Sequence, residues 1–145
     1  MPSDYPLVSF HFQVQWGGSR IGFSEVSGLS MEVEVIEYRE GSDPEHAVRK
    51  IPGIKKFSNI TLKRGVIRAD NEFFDWMNTH QIGTVEKRNI TLALLNEVHE
   101  PSVVWKITNA FPVKLQWTPL NSSSGDILIE ILEMAHEGFV VENGK

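Results

Sequence analysis

Five histidines, two alternate glutamates and a scatter of serines are the residues in this sequence that could do chemistry. The histidines are His11, His46, His80, His99 and His136. No two lie within four residues of each other and no H-E-x-x-H occurs, so no helical pair is set to hold a metal. His11 falls on the polar side of an alternating segment and His80 near an expected helix end, where surface or capping roles account for them. His99-Glu100 lies at an expected hairpin tip and His136-Glu137 closes a strand, so both read as solvated. Glu32 and Glu34 stand roughly 7 Å apart on one strand face, and a carboxylate pair can do glycosidic acid–base work. Alternate carboxylates on a strand are far more often a solvated face, and nothing else outlines a sugar site. The serines include no G-x-S-x-G elbow. Gly17–Gly18 and Gly22 lack the following helix that a phosphate site needs, and no G-x-x-x-x-G-K-[ST] occurs. Cysteine is absent altogether, which removes disulfides, thiolate zinc sites, iron–sulfur ligation and cysteine nucleophiles. No catalytic residue, metal or cofactor is expected, and the chain reads as a non-enzyme.

The elements that would position these residues are mostly strands. The chain has 145 residues, 41% hydrophobic and 23% charged, with a net charge of −5, a globular composition of one domain's length. The acidic balance argues against a dedicated nucleic-acid binder. No apolar run approaches the roughly 20 residues of a membrane span, and Met1–Tyr5 shows no secretory signal, so assembly in the bacterial cytoplasm is expected.

Period-two alternation dominates. Val8, Phe10, Phe12, Val14 and Trp16 share one face of Leu7–Trp16, and Gly17–Gly18 turns the chain into Arg20–Val26. Met31–Arg39 resumes the pattern, Glu40–Gly53 reads as a long loop, and Lys55–Arg64 is a further strand. A break between Phe57 and Ile60 predicts a bulge or register change there. One helix is expected, over 70–80, with Asp70 as N-cap and Phe73, Trp76, Met77 and His80 at helical spacing. Arg88–Val98 and Ser102–Asn109 form a hairpin, Phe111–Trp117 is one more strand, and Ile127–Ala135 is a last strand buried on both sides in part. Trp16, Trp76, Trp105 and Trp117 all align with apolar neighbours, so core packing is their default role. The sum is a mainly β single domain over 1–145, a sandwich or barrel of seven to eight strands with one flanking helix.

Charge is segregated along the chain. Seven acidic residues and one base lie between Glu25 and Glu45, and seven bases and no acid between Arg49 and Arg68. Opposed strands of a hairpin would pair these charges at a few tenths of a kcal/mol each. A long hairpin on a body of radius of gyration near 15 Å also exceeds what its own domain covers, and association would supply the cover.

An ordered series of motifs points to a family. Phe23-Ser-Glu-Val-Ser-Gly-Leu29, Ile36-Glu-Tyr-Arg-Glu-Gly41, Ile51-Pro-Gly53 and Asn59-Ile-Thr-Leu-Lys-Arg-Gly65 come first. Phe74-Asp-Trp-Met77, Val85-Glu-Lys-Arg-Asn-Ile-Thr91 and Trp105-Lys-Ile-Thr-Asn-Ala-Phe-Pro112 follow. The series, running from about Val8 to Ala135, resembles the inner tube proteins of contractile tails, the family shared by contractile phage tail tubes and extracellular contractile injection systems. The resemblance implies six-fold rings stacked into a hollow tube, with two hairpins per subunit, within 31–64 and 88–109, joining those of neighbours in a barrel around the channel. It implies as partners the chain itself, a contractile sheath, baseplate, spike and terminator proteins, and protein cargo or DNA in the lumen. It implies no membrane insertion by this chain alone and a final place in an extracellular tail-like particle or virion tail.

On that reading, alternation sends Glu32, Glu34, Asn59, Thr61, Lys63, Asn89, Thr91, Lys106 and Thr108 to the channel, while Val33, Val35, Ile60, Leu62, Ile90, Leu92, Leu94, Val103, Trp105 and Ile107 face the core. A one-residue slip would exchange the two sets. The loop between the first pair of inner strands would reach the next ring through Glu40, Asp43, Glu45, His46, Arg49 and Lys50. Two structural alternatives are a phage tail tube and a type VI-like secreted ring protein. One alternative of another class is a ligand-binding β-sandwich module with Trp16 or Trp117 as platform.

Overall fold

The computed structural model describes residues 6–18, 22–42, 48–81 and 83–144. Nine strands and one short helix follow in chain order: β1 (Phe12–Gln15), β2 (Glu25–Ser27), β3 (Met31–Tyr38), β4 (Arg49–Phe57), β5 (Ile60–Gly65), α1 (Glu72–Met77), β6 (Arg88–Leu95), β7 (Pro101–Trp117), β8 (Ile129–Ala135) and β9 (Phe139–Asn143). Seven strands make one antiparallel sheet in the order β1-β6-β7-β8-β5-β2, with β9 also on β7. The remaining two, β3 and β4, form a sheet of their own.

Strand β7 explains the sandwich. Its first half carries β6 and β9, and its second half, from Phe111, carries β8. The change of partner falls in Asn109-Ala-Phe-Pro112: Asn109 has φ 51°, Ala110 and Pro112 are fully buried, and the register to β8 shifts between Pro112 and Lys114. A proline lacks the N–H that a regular ladder uses, and bulges are where sheets accommodate it. The sheet thus folds into two wings. Val14, Trp16, Ile90, Leu92 and Ile107 of one wing close on Ile60, Leu62, Leu132 and Met134 of the other, with Phe73 and Trp76 of α1 completing the core.

Several expectations need revision. Only residues 12–15 of the first alternating segment are strand, because its partner β6 accompanies it only from Phe12, opposite Leu94, to Gln15, opposite Thr91. The helix covers Glu72–Met77, with Asn71 at the N-cap position, rather than 70–80. Asp70 still accepts a hydrogen bond from the Glu72 N–H, at 3.2 Å. Phe111–Trp117 is the continuation of β7, and β9 is an additional strand. In β8 only Glu130, Leu132 and Met134 are buried, while the other face is half-buried.

The largest revision concerns the first hairpin. Met31–Tyr38 pairs with Arg49–Phe57, not with a strand reaching Arg64, so the hairpin spans 31–57 rather than 31–64. At the expected break after Phe57 the chain leaves one sheet and enters the other, where β5 lies between β8 and β2. Alternation could not show this, since both pieces alternate.

Candidate functional site

The hairpin β3–β4 has no core of its own. Every residue of β3 is exposed, as are all of β4 but Gly53 and Phe57, which are half-buried. Among the described residues neither strand has a second strand beside it. Each strand is about 26–30 Å long by its residue count, and an isolated two-stranded hairpin is marginal in water. Register puts Met31, Val33 and Val35 on one face with Phe57, Lys55 and Pro52. The opposite face carries Glu32 and Glu34 with Lys56, then Ile36 and Tyr38 with Ile51 and Arg49. A one-residue irregularity in β4, opposite Val33–Val35, keeps these sets apart. Gly53 sits there because a Cβ would come within 2.8 Å of the Glu34 carbonyl oxygen.

Both faces therefore hold uncovered apolar surface. Met31, Val33, Val35, Ile36, Tyr38, Ile51 and Ile54 are 43–69% exposed. Half of each such side chain still faces water, so covering all seven would yield roughly 7 kcal/mol before the cost of association. A hairpin with free edges and this much apolar surface calls for a partner.

Part of the segregated charge is met inside the hairpin. Glu32 stands opposite Lys56 and Glu37 opposite Lys50, and Lys56 Nζ lies 3.0 Å from Glu34 Oε2. Exposed pairs of this kind contribute a few tenths of a kcal/mol each and fix register more than they stabilise.

The root is held firmly where the free part is not. Gly28, in Val26-Ser-Gly-Leu29, has φ +90°, and a Cβ there would fall 2.1 Å from the Asn59 carbonyl oxygen. Ser58 Oγ donates to the Gly28 carbonyl at 2.8 Å and shares a 2.7 Å hydrogen bond with Ser30 Oγ. Phe57 packs edge-on against Phe139 and His136, with ring centroids 5.0 and 5.8 Å apart.

Beneath β5 lies a buried ion cluster that alternation already places on the core side, in step with Ile60 and Leu62. The Arg64 side chain is 1% exposed; its Nε donates to Glu130 Oε1 at 2.7 Å and its Nη2 to Asp70 Oδ1 at 3.1 Å. The guanidinium lies 4.1 Å from the Phe73 ring centre and 5.5 Å from that of Trp16. This ties the wing to the segment that opens α1, so the arginine of Thr61-Leu-Lys-Arg-Gly65 is a structural residue. Burial of a charge needs such pairing. The signal in the sequence was a charged residue at an inward position of an alternating strand, matched by Glu130 between Leu128 and Leu132.

The expected channel residues fall into three groups. Glu32 and Glu34 are on the hairpin. Asn89, Thr91, Lys106 and Thr108 belong to the β6–β7 hairpin, which the structure forms as expected, with Thr91 opposite Lys106. They face away from the core side that holds Ile90, Leu92, Val103 and Ile107. Asn59, Thr61 and Lys63 lie on the outer side of the other wing: Thr61 is opposite Glu133, Asn59 Nδ2 donates to Glu133 at 2.8 Å, and Lys63 is 3.6 Å from Glu25. The core set divides likewise. Ile60, Leu62, Ile90, Leu92, Val103 and Ile107 are buried and Leu94 and Trp105 half-buried, but Val33 and Val35 are exposed.

Of the ring-contact candidates, Glu40 follows β3 and is exposed, and Arg49 and Lys50 open β4 rather than lying in the loop. Asp43, Glu45 and His46 lie outside the described residues. Trp16, 0% exposed, is sealed in the core and cannot be a ligand platform, whereas Trp117 is 44% exposed. The fold does bring His11 and His99 together, ring centroids 4.6 Å apart, which their spacing of 88 positions hid. Among the described residues no group of three or more His, Asp or Glu side chains is placed to hold a metal ion, and no helix is long and apolar enough to cross a membrane.

Comparison with known proteins agrees on one architecture. The family described as T4-like virus tail tube protein gp19 matches residues 8–140. A chain in the sheath–tube complex of an extracellular contractile injection system, PVC, in its extended state is 34% identical, with a TM-score of 0.89, over 98% of this chain and 95% of that one. A chain of the anti-feeding prophage cap, the AFP tube terminating cap, is 30% identical with a TM-score of 0.89, over 99% and 95%. Hcp1 from Flavobacterium johnsoniae shares the fold at 14% identity and a TM-score of 0.59, over 93% of this chain and 97% of that one. No curated protein matches the chain.

Proposed function

The chain belongs to the T4-like virus tail tube protein gp19 family and is a structural tube subunit, and from that premise we propose that the β3–β4 hairpin is the element by which one copy joins the next. The observation that carries the reading is the hairpin itself, which among the described residues has two free edges and seven half-exposed apolar side chains, on a subunit whose family builds tubes. Six copies would form a ring in which each hairpin gains strand neighbours and apolar cover, and rings would stack through the segment between β3 and β4 and the start of β4. Glu40, Asp43, Glu45, His46, Arg49 and Lys50 are the residues assigned to that stacking contact. Closing strands across subunit boundaries removes the free edges that otherwise invite aggregation.

The channel wall in this reading is polar and of mixed charge, formed by Glu32, Glu34, Asn89, Thr91, Lys106 and Thr108. Asn59, Thr61 and Lys63, expected at the channel, lie on the outside of the other wing, where Asn59 and Lys63 meet Glu133 and Glu25 of the same subunit, and they are left out of this wall. The role is mechanical rather than catalytic. A contractile sheath, a terminating cap and a baseplate are the partners assigned here, because relatives have been solved in a sheath–tube complex, a tube terminating cap and a baseplate. The final location is an extracellular tail-like particle with cargo in the lumen.

The test is a pair of substitutions that costs the lone subunit little. Val33→Glu with Val35→Glu changes side chains already 46% and 56% exposed. Subunit stability should shift by no more than about 0.5 kcal/mol per site. Negative-stain microscopy should show rings and tubes for the unaltered chain and none for the double variant. Tubes of normal length from that variant would overturn the assignment of the hairpin.

A further inference from the structure

The two edges of the β3–β4 hairpin are unlike. Strand β4 carries Pro52, the extra residue opposite Val33–Val35 and four basic side chains, Arg49, Lys50, Lys55 and Lys56. Prolines, bulges and lysines are the devices that keep an edge strand from pairing. Strand β3 has none of them: Met31–Tyr38 runs for eight residues without proline, glycine or base. The outer side of β3 is thus the edge open to a further strand.

Among the described residues the body of a second copy offers three sheet edges, β1, β2 and β9. Strand β2 has only three residues. Strand β9 carries Glu142, and its first residue, Phe139, already packs on Phe57 at the root of its own hairpin. The glutamates of β3 set beside Glu142 would repel. Strand β1 has neither difficulty. The segment 7–15 contains no acid, lysine or arginine, and its nine residues match the eight of β3. Its faces match as well. Val8 and Phe10 share the side of the buried Val14, which would lie beside Met31, Val33 and Val35, while Gln13 and Gln15 would lie beside Glu32 and Glu34. In the single subunit the strand begins only at Phe12, the chain bends at Ser9 and Phe10, and Leu7, Val8 and Phe10 are 54–75% exposed. An alternating sequence that ends in a bend is accounted for once a second strand runs along its outer edge.

We propose that β3 of one copy pairs edge to edge with β1 of the next, drawing residues 7–11 straight into a longer first strand. This rests on the hairpin being the assembly element, and it names the strand that receives it. Within the body Gln15 stands opposite Thr91, and Thr91 opposite Lys106. Glu32 and Glu34 therefore continue the polar surface of Gln15, Thr91 and Lys106 across the subunit boundary, as one sheet. On the other face Val8 and Phe10 give the apolar row of β3 a neighbour.

The chain has no cysteine, so single introduced thiols report the pairing. Val35→Cys chains are co-assembled in turn with Val8→Cys, Gln13→Cys and Val141→Cys chains, and a bis-maleimide spanning two strand spacings, about 10 Å, is added. All four side chains are exposed in the subunit, so its fold is little disturbed, and positions 8 and 13 report either direction of pairing. Linked dimers are expected with Val8→Cys or Gln13→Cys and not with Val141→Cys on β9. In tubes of the unaltered chain, hydrogen–deuterium exchange of residues 7–11 should slow roughly ten-fold against the subunit carrying Val33→Glu and Val35→Glu, as amides gain strand hydrogen bonds. Links to Val141→Cys alone overturn the pairing with β1 and leave the hairpin as the assembly element. Tubes in which Val35→Cys links to none of the three overturn both. If the cysteine variants do not assemble, exchange in tubes of the unaltered chain decides: slowed at 7–11 it upholds the pairing, unslowed it overturns it. If the unaltered chain forms no tubes, the reading of the hairpin fails and the pairing with it.

Discussion

Replacing Glu130 with alanine removes one side of the buried cluster and leaves the guanidinium of Arg64 in place. Arg64 and Glu130 side chains are 1% and 7% exposed, and the bond lost is the shorter of the two, 2.7 Å against 3.1 Å to Asp70. Deleting one partner of a buried pair costs about 3–5 kcal/mol, because the remaining charge has neither water nor counter-ion. Asp70 stays, 10% exposed, and the Phe73 ring still faces the cation, so the lower end of that range applies, about 3 kcal/mol. Against a total stability of about 5–15 kcal/mol, that lowers the melting temperature by about 6–12 °C for a chain of this length. Guanidinium unfolding followed by tryptophan fluorescence reads the change directly, since Trp16 lies against the cluster, with subunit concentration held constant so that self-association cancels. Glu130→Gln, which keeps an acceptor, should lose about half as much. Arg64→Met with Glu130→Leu and Asp70→Asn, which removes all three charges of the cluster and keeps an acceptor for the Glu72 N–H, should fall within about 1.5 kcal/mol of the unaltered protein or exceed it. If Glu130→Ala costs no more than the exposed control Glu34→Ala, the pair is not holding a buried charge and the reasoning fails.

Gly28→Ala forces a methyl to 2.1 Å from the Asn59 carbonyl at a φ of +90°, so a loss of about 2 kcal/mol or more is expected; a thermal melt within a degree of the unaltered protein would contradict the close approach. The carboxyl of Glu137 is held below its ordinary 4.5, first by the hydrogen bond from Asn109 and then by that from Lys87. A depressed carboxylate stabilises the fold above its unfolded value, and that contribution fades as pH falls from 4.5 through the lower folded value. Denaturation of Glu137→Gln against the unaltered protein should show a deficit at neutral pH that closes in acid, and a deficit constant with pH would refute it. Charge reversal at Arg49 and Lys50 places one like charge, at position 50, opposite Glu37 and the other opposite Tyr38, at a cost of a few tenths of a kcal/mol, so the subunit should remain folded while tubes shorten or vanish in micrographs; tubes of unchanged length would remove these residues from the stacking contact.

Much of this was legible in the residues. Alternation located β3, β5, β6, β7 and β8, the inward side of β5, β6 and β7, and the β6–β7 hairpin, because period two survives whatever partner a strand takes, but it overran β1, left the start of β4 in a loop and did not reveal β9. Partner choice did not show. The break between Phe57 and Ile60 was visible and read as a bulge or register change, but the pieces on either side both alternate, so nothing local said that they belong to different sheets. For the same reason Val33 and Val35 read as core although the core lies elsewhere. The hairpin was expected to exceed what its own domain covers, and the apolar residues of β3 and β4 are exposed in this subunit, but the pattern is the same whether cover comes from the chain's own body or from another copy. Asn109-Ala-Phe-Pro112 and Val26-Ser-Gly-Leu29 served as family marks, and the fold supplies their reasons: a strand changing partners at a buried proline, and a glycine passing close to a carbonyl. The long-range contacts of His136 with Ser58 and of His11 with His99 join residues 78 and 88 positions apart, which spacing rules for short motifs do not reach.

Electron microscopy of the purified, unaltered chain tests the central claim most directly. The account predicts rings stacked into hollow tubes, in which density from a neighbouring subunit covers Met31, Val33, Val35 and Ile36. A chain that stays single at high concentration, with β3 and β4 still open to solvent on both faces, would contradict it.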